Sequence, residues 1–194
     1  MRHKQRLLNF NMSQLAQQAL SQLVIVDLQG KLVDAMPADA MQATIKNCGI
    51  LVQAAHLLDV PVVATEQYPL GLGATLQEIQ QQFSQFKPIA KTAFSATNEA
   101  KFNQQLHRDQ PQIILAGMEA HICILQTALS LKLAGKQVFV VEDAIVSRNP
   151  ANKINAIARI RDAGCVITNT ESVVFEWLGN ASHPAFKEVS KLIR

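Results

Sequence analysis

The chain has 194 residues, 48% of them hydrophobic and 17% charged, which fits one globular domain with a sizeable core and excludes a disordered chain. Its net charge of +3 comes from scattered Lys and Arg, and it holds one Tyr and one Trp. No basic stripe suggests nucleic acid or an anionic membrane as partner, and no aromatic platform for stacking bases is present.

Residues 1–20 read as an N-terminal extension and 21–194 as a single domain. Met1 to Asn11 is basic through Arg2, His3, Lys4 and Arg6, but Gln-rich sequence follows it where a secretory signal would place an apolar stretch. It reads either as a short targeting arm or as an upstream extension, with Met12 as the natural start. No apolar run reaches the ~18 to 20 residues of a membrane span. Cys48, Cys123 and Cys165 stand far apart and form neither a CxxC pair nor a ligand cluster. That spacing argues against structural zinc and a disulfide framework, suits a reducing compartment, and leads us to expect a cytoplasmic protein.

Leu23 to Leu28 (LVIVDL) is a continuous, β-branched apolar run and predicts a buried strand with Asp27 near its end. Helical spacing of Met41, Ile45, Cys48, Val52 and Ala55 predicts a helix over about 39–59, capped by Asp39. Pro61 opens a second strand, PVVAT. Tyr68 to Gly73 reads as loop, Thr75 to Phe83 as a short helix, and Pro88 to Lys91 as a third strand. A polar helix over about 98–108 precedes the strand Gln112 to Gly117. A helix over His121 to Ala134 follows, with Gly135 just past its end. Strands at Gln137 to Val141 and Cys165 to Thr168 flank a helix over Asn152 to Ala163, and one or two helices run from Glu171. Strands alternating with helices throughout imply right-handed crossovers, hence a three-layer α/β/α domain of Rossmann-like type around a mostly parallel sheet.

In such sheets ligands meet the carboxyl ends of the strands. Asp27, Lys91 and Cys123 are the reactive residues at those ends. Singly, Asp27 reads as a cap or turn former, Lys91 as a solvated lysine, and Cys123 as a buried thiol. Cys123, however, falls in the first turn of a helix just after a strand, where free N–H groups and the helix dipole favour a thiolate and could serve an oxyanion. Cys48 and Cys165 lie in apolar stripes and read as core. A cysteine nucleophile needs a proton acceptor and a charge partner; Asp27 supplies the first and Lys91 the second. His121, two residues from Cys123 on one helix, does not face it, and reads equally as a pocket or a surface residue. Asp143 reads as a cap or turn residue. The GLG at Gly71 to Gly73 completes no dinucleotide fingerprint, and neither a Walker motif nor a GxSxG elbow occurs.

The segments LVIVDLQ around Asp27, KTAFSA around Lys91 and AGMEAHICILQTALSLKLAGKQVFVVEDA around Cys123 resemble, in that order, the isochorismatase-like superfamily of cysteine hydrolases. The resemblance spans about Gln22 to Glu176. TEQYPLGLG and the C-terminal WLGNASHPAFKEVSKLIR are most similar to the isochorismatase-domain-containing subgroup. It implies a six-stranded parallel sheet and an Asp27–Lys91–Cys123 catalytic triad. It further implies a non-proline cis peptide between Met118 and Glu119, and an oxyanion hole from the backbone N–H groups of Glu119 and Cys123. Nicotinamidases of this superfamily carry a DxHxH-type metal site after the second strand, whereas Thr65 to Pro69 holds no histidine here. The resemblance therefore implies no catalytic metal or other cofactor. True isochorismatases cleave a vinyl ether without a cysteine nucleophile, so the presence of Cys123 points to amide or related carbonyl chemistry.

The expected activity is thus cysteine-dependent hydrolysis of a small amide or similar substrate through a thioester, with Gln67, Tyr68, Phe94 and His121 as pocket residues. The expected partners are a small molecule and further copies of the chain, with no nucleic acid and no membrane; Phe175, Trp177, Leu178 and Phe186 are candidates for a contact surface. The alternative is a catalytically silent binding, scaffold or thiol-sensing protein on the same fold. A nicotinamide-dependent oxidoreductase is disfavoured by the missing glycine fingerprint.

Overall fold

The structure, a computed structural model, describes residues 14–194; the basic segment Met1 to Asn11 and Met12 lie outside the described residues. Six strands form one sheet: β1 (Ser21–Val26), β2 (Val62–Gln67), β3 (Ile89–Lys91), β4 (Gln112–Met118), β5 (Gln137–Val146) and β6 (Val166–Thr168). Their order is β3-β2-β1-β4-β5-β6, and every pairing is parallel. The chain winds from β1 to one edge and then crosses back to begin β4 beside β1. The β1/β4 border is therefore the switch point where two strands send their following loops to opposite sides and open a crevice.

β1 and β4 are buried along their whole length, as a parallel sheet covered on both faces requires. Alternation on β1 divides the core. Leu23 and Ile25 face the layer built by Cys48, Leu51, Ala55, Val173 and Trp177. Val24 and Val26 face the opposite layer, with Phe102, Ala128, Leu131, Ala156 and Ile160. Helices thus cover both faces. Among the described residues no helix is long and apolar enough to cross a membrane.

Local chemistry explains where elements depart from the periodicity. The long helix runs Ala38–Leu57 with Pro37 in the cap position, so Asp39 is a first-turn acid and not the cap; its charge still suits the helix N-terminus. Tyr68 to Gly73 is not loop throughout: Pro69 starts a one-turn helix, Pro69–Leu72, because its fixed φ suits the first helical position. The helix predicted over 75–83 contracts to Gln77–Gln80, and that over 98–108 to Ala100–Gln105. β5 runs to Val146, five residues past the predicted end. Its register against β4 jumps from Leu115↔Val140 to Gly117↔Ile145. Asp143, on that offset stretch, accepts at 2.8 Å from both Thr170 N–H and Thr170 Oγ1, tying down the start of the helix Thr170–Leu178. Residues ahead of β1 already join the fold, as Ala16 N–H donates to Glu176 and Gln17 N–H to Gln112, each at 2.7 Å.

Candidate active site

β1 delivers Asp27 and β4 delivers Cys123 to the crevice at the switch point, while Lys91 closes the short strand β3. The chain leaves β1 in an αL turn at Asp27, with φ 54°, a conformation that Asp tolerates better than most residues. The three predicted residues meet. Lys91 Nζ lies 2.7 Å from Asp27 Oδ2 and 3.4 Å from Cys123 Sγ. Asp27 is 0% exposed, Lys91 2% and Cys123 6%, so the charges act across little screening water.

The surroundings account for each position. Thr65 Oγ1 donates to Asp27 Oδ1 at 2.7 Å. Oδ2 has the Lys91 charge beside it but no directed hydrogen bond from the described residues, leaving a lone pair for a thiol proton. Lys91 also donates to Gln67 Oε1 at 2.6 Å and to the carbonyls of Ala93 and Phe94 at 3.3 Å. Gln67 is itself fixed. Its Nε2 donates to Thr92 O, and its backbone exchanges two bonds with the Gln29 side chain at 2.7 and 3.0 Å. Cys123 Sγ stands 3.8 Å from Gln67 Oε1.

The thiol departs from the helix-start expectation. Burial first, and the Asp27 carboxylate second, push Cys123 from its ordinary 9.0 up to about 12, with Lys91 pulling the other way. The resting group is a thiol beside a carboxylate and not a thiolate. The local backbone gives the reason. Cys123 lies in a π-helical turn, Ala120–Ile124, ahead of the α-helix Leu125–Leu133, and it is buried in the same core cluster as Val26, Ala120 and Ile124, away from an open α-helical N-terminus. The Met118–Glu119 peptide just before this turn is cis.

Of the four expected pocket residues, Gln67 touches the cluster directly. Tyr68 and Phe94 are half exposed, at 53% and 52%, and adjoin it through the backbone: Tyr68 N–H donates to Lys91 O at 2.7 Å, and Phe94 O accepts from Lys91. His121 Nδ1 pairs with Ser147 Oγ at 2.9 Å. Cys48 and Cys165 are buried in the two core layers. Of the C-terminal candidates, Trp177 and Leu178 are buried, whereas Phe175 is 39% exposed and packs on Phe186. Sequence reasoning missed Thr65, Gln29 and Arg148. Thr65 carried a usable signal, since it shares a strand face with Gln67 by the two-residue period. Among the described residues no group of three or more His, Cys, Asp or Glu is placed to hold a metal ion.

Comparisons with known proteins bear on the fold and the family. Residues 21–172 match the family model of the isochorismatase domain. Over 144 residues the chain is 40% identical to isochorismatase domain-containing protein 2 of Bos taurus, covering 74% of this chain and 70% of that one. It is 33% identical over 174 residues to isochorismatase family protein 1B of Dictyostelium discoideum, covering 87% and 84%. Among solved structures it is similar to the MAR1 ribonuclease of Caenorhabditis elegans, at TM-score 0.87 and 34% identity over 92% of each chain. With its six-stranded parallel sheet and a family match over most of its length, the chain belongs to the isochorismatase-like hydrolase family.

Proposed function

We propose that the chain hydrolyses a small amide or related carbonyl compound with Cys123 as nucleophile, Asp27 as proton shuttle and Lys91 as the fixed charge. The observation that carries the reading is the buried contact set in which one ammonium lies 2.7 Å from Asp27 and 3.4 Å from Cys123. Because the thiol rests protonated, attack is coupled to proton transfer. Sγ forms a bond to the carbonyl carbon as its proton passes to Asp27 Oδ2, the position with no directed hydrogen bond. Lys91 balances the negative charge throughout, and the N–H groups of Glu119 and Cys123 receive the oxyanion. Collapse breaks the C–N bond, and the proton on Asp27 leaves with the amine. Water then adds to the thioester, giving its proton to Asp27. The C–S bond breaks, and that proton returns to sulfur. These steps require no metal or cofactor. Gln67, Tyr68, Phe94 and His121 are assigned to the substrate pocket.

A screen of small amides tests this. Cys123→Ala and Asp27→Ala are expected to remain folded and to lose turnover by at least about 10³-fold; full activity in Cys123→Ala on an identified substrate would rule out the covalent route. RNA belongs in the same screen. Cleavage that persists in Cys123→Ala would favour instead the activity that names the Caenorhabditis elegans relative.

A second reading draws on the same thiol. Its protonated state and 6% exposure also suit a silent binding or scaffold protein, which would show no acyl adduct with any member of the screen. Homo-oligomerisation through the exposed Phe175–Phe186 edge and a cytoplasmic location, which accords with three unpaired cysteines, complete the proposal.

A further inference from the structure

Glu119 is the first residue past β4, and its side chain is 4% exposed. Its carboxylate is gripped by Arg148, the second residue past β5. The Arg148 backbone N–H donates to Oε2 at 3.0 Å, Nε to Oε2 at 3.0 Å and to Oε1 at 3.2 Å, and Nη2 to Oε1 at 2.6 Å. The Arg148 side chain remains 55% exposed. A water-exposed cation forked onto a desolvated carboxylate fixes orientation as well as charge.

The preceding residue, Ser147, makes a second tie through His121 Nδ1 at 2.9 Å. The two residues after β5 thus hold the turn after β4 at two points. The backbone of Glu119 is engaged as well: its carbonyl accepts from Ile122 N–H at 3.1 Å and from Ile124 N–H at 3.2 Å, the two residues on either side of Cys123. Side chain and main chain of Glu119 are therefore both held, the first by Arg148 and the second by the two residues that flank the nucleophile.

We infer that the Arg148–Glu119 pair is a positioning device for acyl transfer, holding the Glu119 backbone and its oxyanion donor in register with Cys123 Sγ. This rests on the acyl-transfer reading given above. Arg148 is a positioning residue and touches none of the reacting atoms.

The charges on Glu119 add a pH signature. Burial alone pushes its carboxyl up, but the hydrogen bonds and charge of Arg148, with a smaller contribution from His121, outweigh burial and hold it below its ordinary 4.5. These are the titratable and charged groups that act on it. With Arg148 replaced by an apolar residue, burial is opposed by His121 alone and the carboxyl rises. In that variant the ionised carboxylate keeps only the tie from the backbone N–H of residue 148, and this last tie weakens as pH falls through the raised value.

Two probes separate positioning from simple structural support. Para-nitrophenyl acetate acylates a thiol through an oxyanion, whereas iodoacetamide alkylates it without one. Arg148→Met is expected to slow acylation of Cys123 by about 10²-fold, to leave its alkylation nearly unchanged, and to shift the acid limb of the acylation rate to higher pH than in wild type. Arg148→Lys, which keeps the charge but not the fork, is expected to fall between the two and serves as the test if Arg148→Met does not fold. A parallel fall in both rates, or no fall in acylation, would overturn the positioning role. A wild type that is alkylated but not acylated at Cys123 would instead overturn the acyl-transfer reading beneath it.

Discussion

Lys91 sits among five acceptors: the Asp27 carboxylate, the Gln67 amide, the carbonyls of Ala93 and Phe94, and the Cys123 sulfur. At 2% exposure an ammonium could not be left with fewer partners cheaply. That cage decides the division of labour: a cation so tied is a poor base, and Asp27 is the acceptor left for the thiol proton. The same geometry sets two measurable quantities moving in opposite directions. Asp27 is one of the charges that raise the Cys123 thiol, and Lys91 opposes it. Asp27→Asn therefore lowers the thiol toward a thiolate–ammonium pair, so alkylation by iodoacetamide at about neutral pH should accelerate by tenfold or more. Turnover should nevertheless be lost, because no group remains to carry the proton. Slower alkylation in Asp27→Asn would show that the carboxylate does not set the state of the thiol. In wild type the thiol stays protonated in the native state above its ordinary 9.0, so its alkylation rate should keep rising with pH toward about 12 instead of levelling near 9.

At the scale of elements, the β1/β4 contact is what brings Asp27 and Cys123 together. Gly117 makes it possible, since its φ is +117° and an added Cβ would sit 2.1 Å from the Val26 carbonyl oxygen and 2.7 Å from the Val26 nitrogen. Val26 is also the residue before Asp27, so any relief would move the carboxylate. Gly117→Ala should cost on the order of 3 kcal/mol, read as a lower urea midpoint with an unchanged slope. An unaltered midpoint would mean that the strand ends separate more easily than this close approach implies. Elements also show where periodicity informs and where it fails. The buried strands and the long helix are legible because their apolar residues recur at two or 3.6 residues or fill a continuous run. The π-helical turn at Ala120–Ile124 has no such signature, and the thiolate expected from an α-helical start at Cys123 fails with it. The short helix at Pro69 was hidden by the loop-like composition around it.

For the molecule as a whole, parallel topology converts sequence order into a site. Asp27, Lys91 and Cys123 are far apart in sequence but all follow strands of one sheet, so alternation of strands and helices was enough to place them at a common end. Partners recruited across strands were less legible. Thr65 meets Asp27 over 38 positions and Arg148 meets Glu119 over 29, contacts that depend on register and on the β4/β5 offset, neither of which composition reveals. Family membership agrees with the fold, while the substrate is a matter of the cluster's chemistry and not of the fold. The central claim is that Cys123 carries the acyl group during turnover. Rapid acid quench of the protein with para-nitrophenyl acetate, followed by mass spectrometry of the peptide containing Cys123, tests it directly. The account predicts an acetyl thioester on Cys123 that decays at the rate of product release and is absent in Cys123→Ala. Turnover of the ester with Cys123 unmodified at every time point, and undiminished in Cys123→Ala, would contradict it.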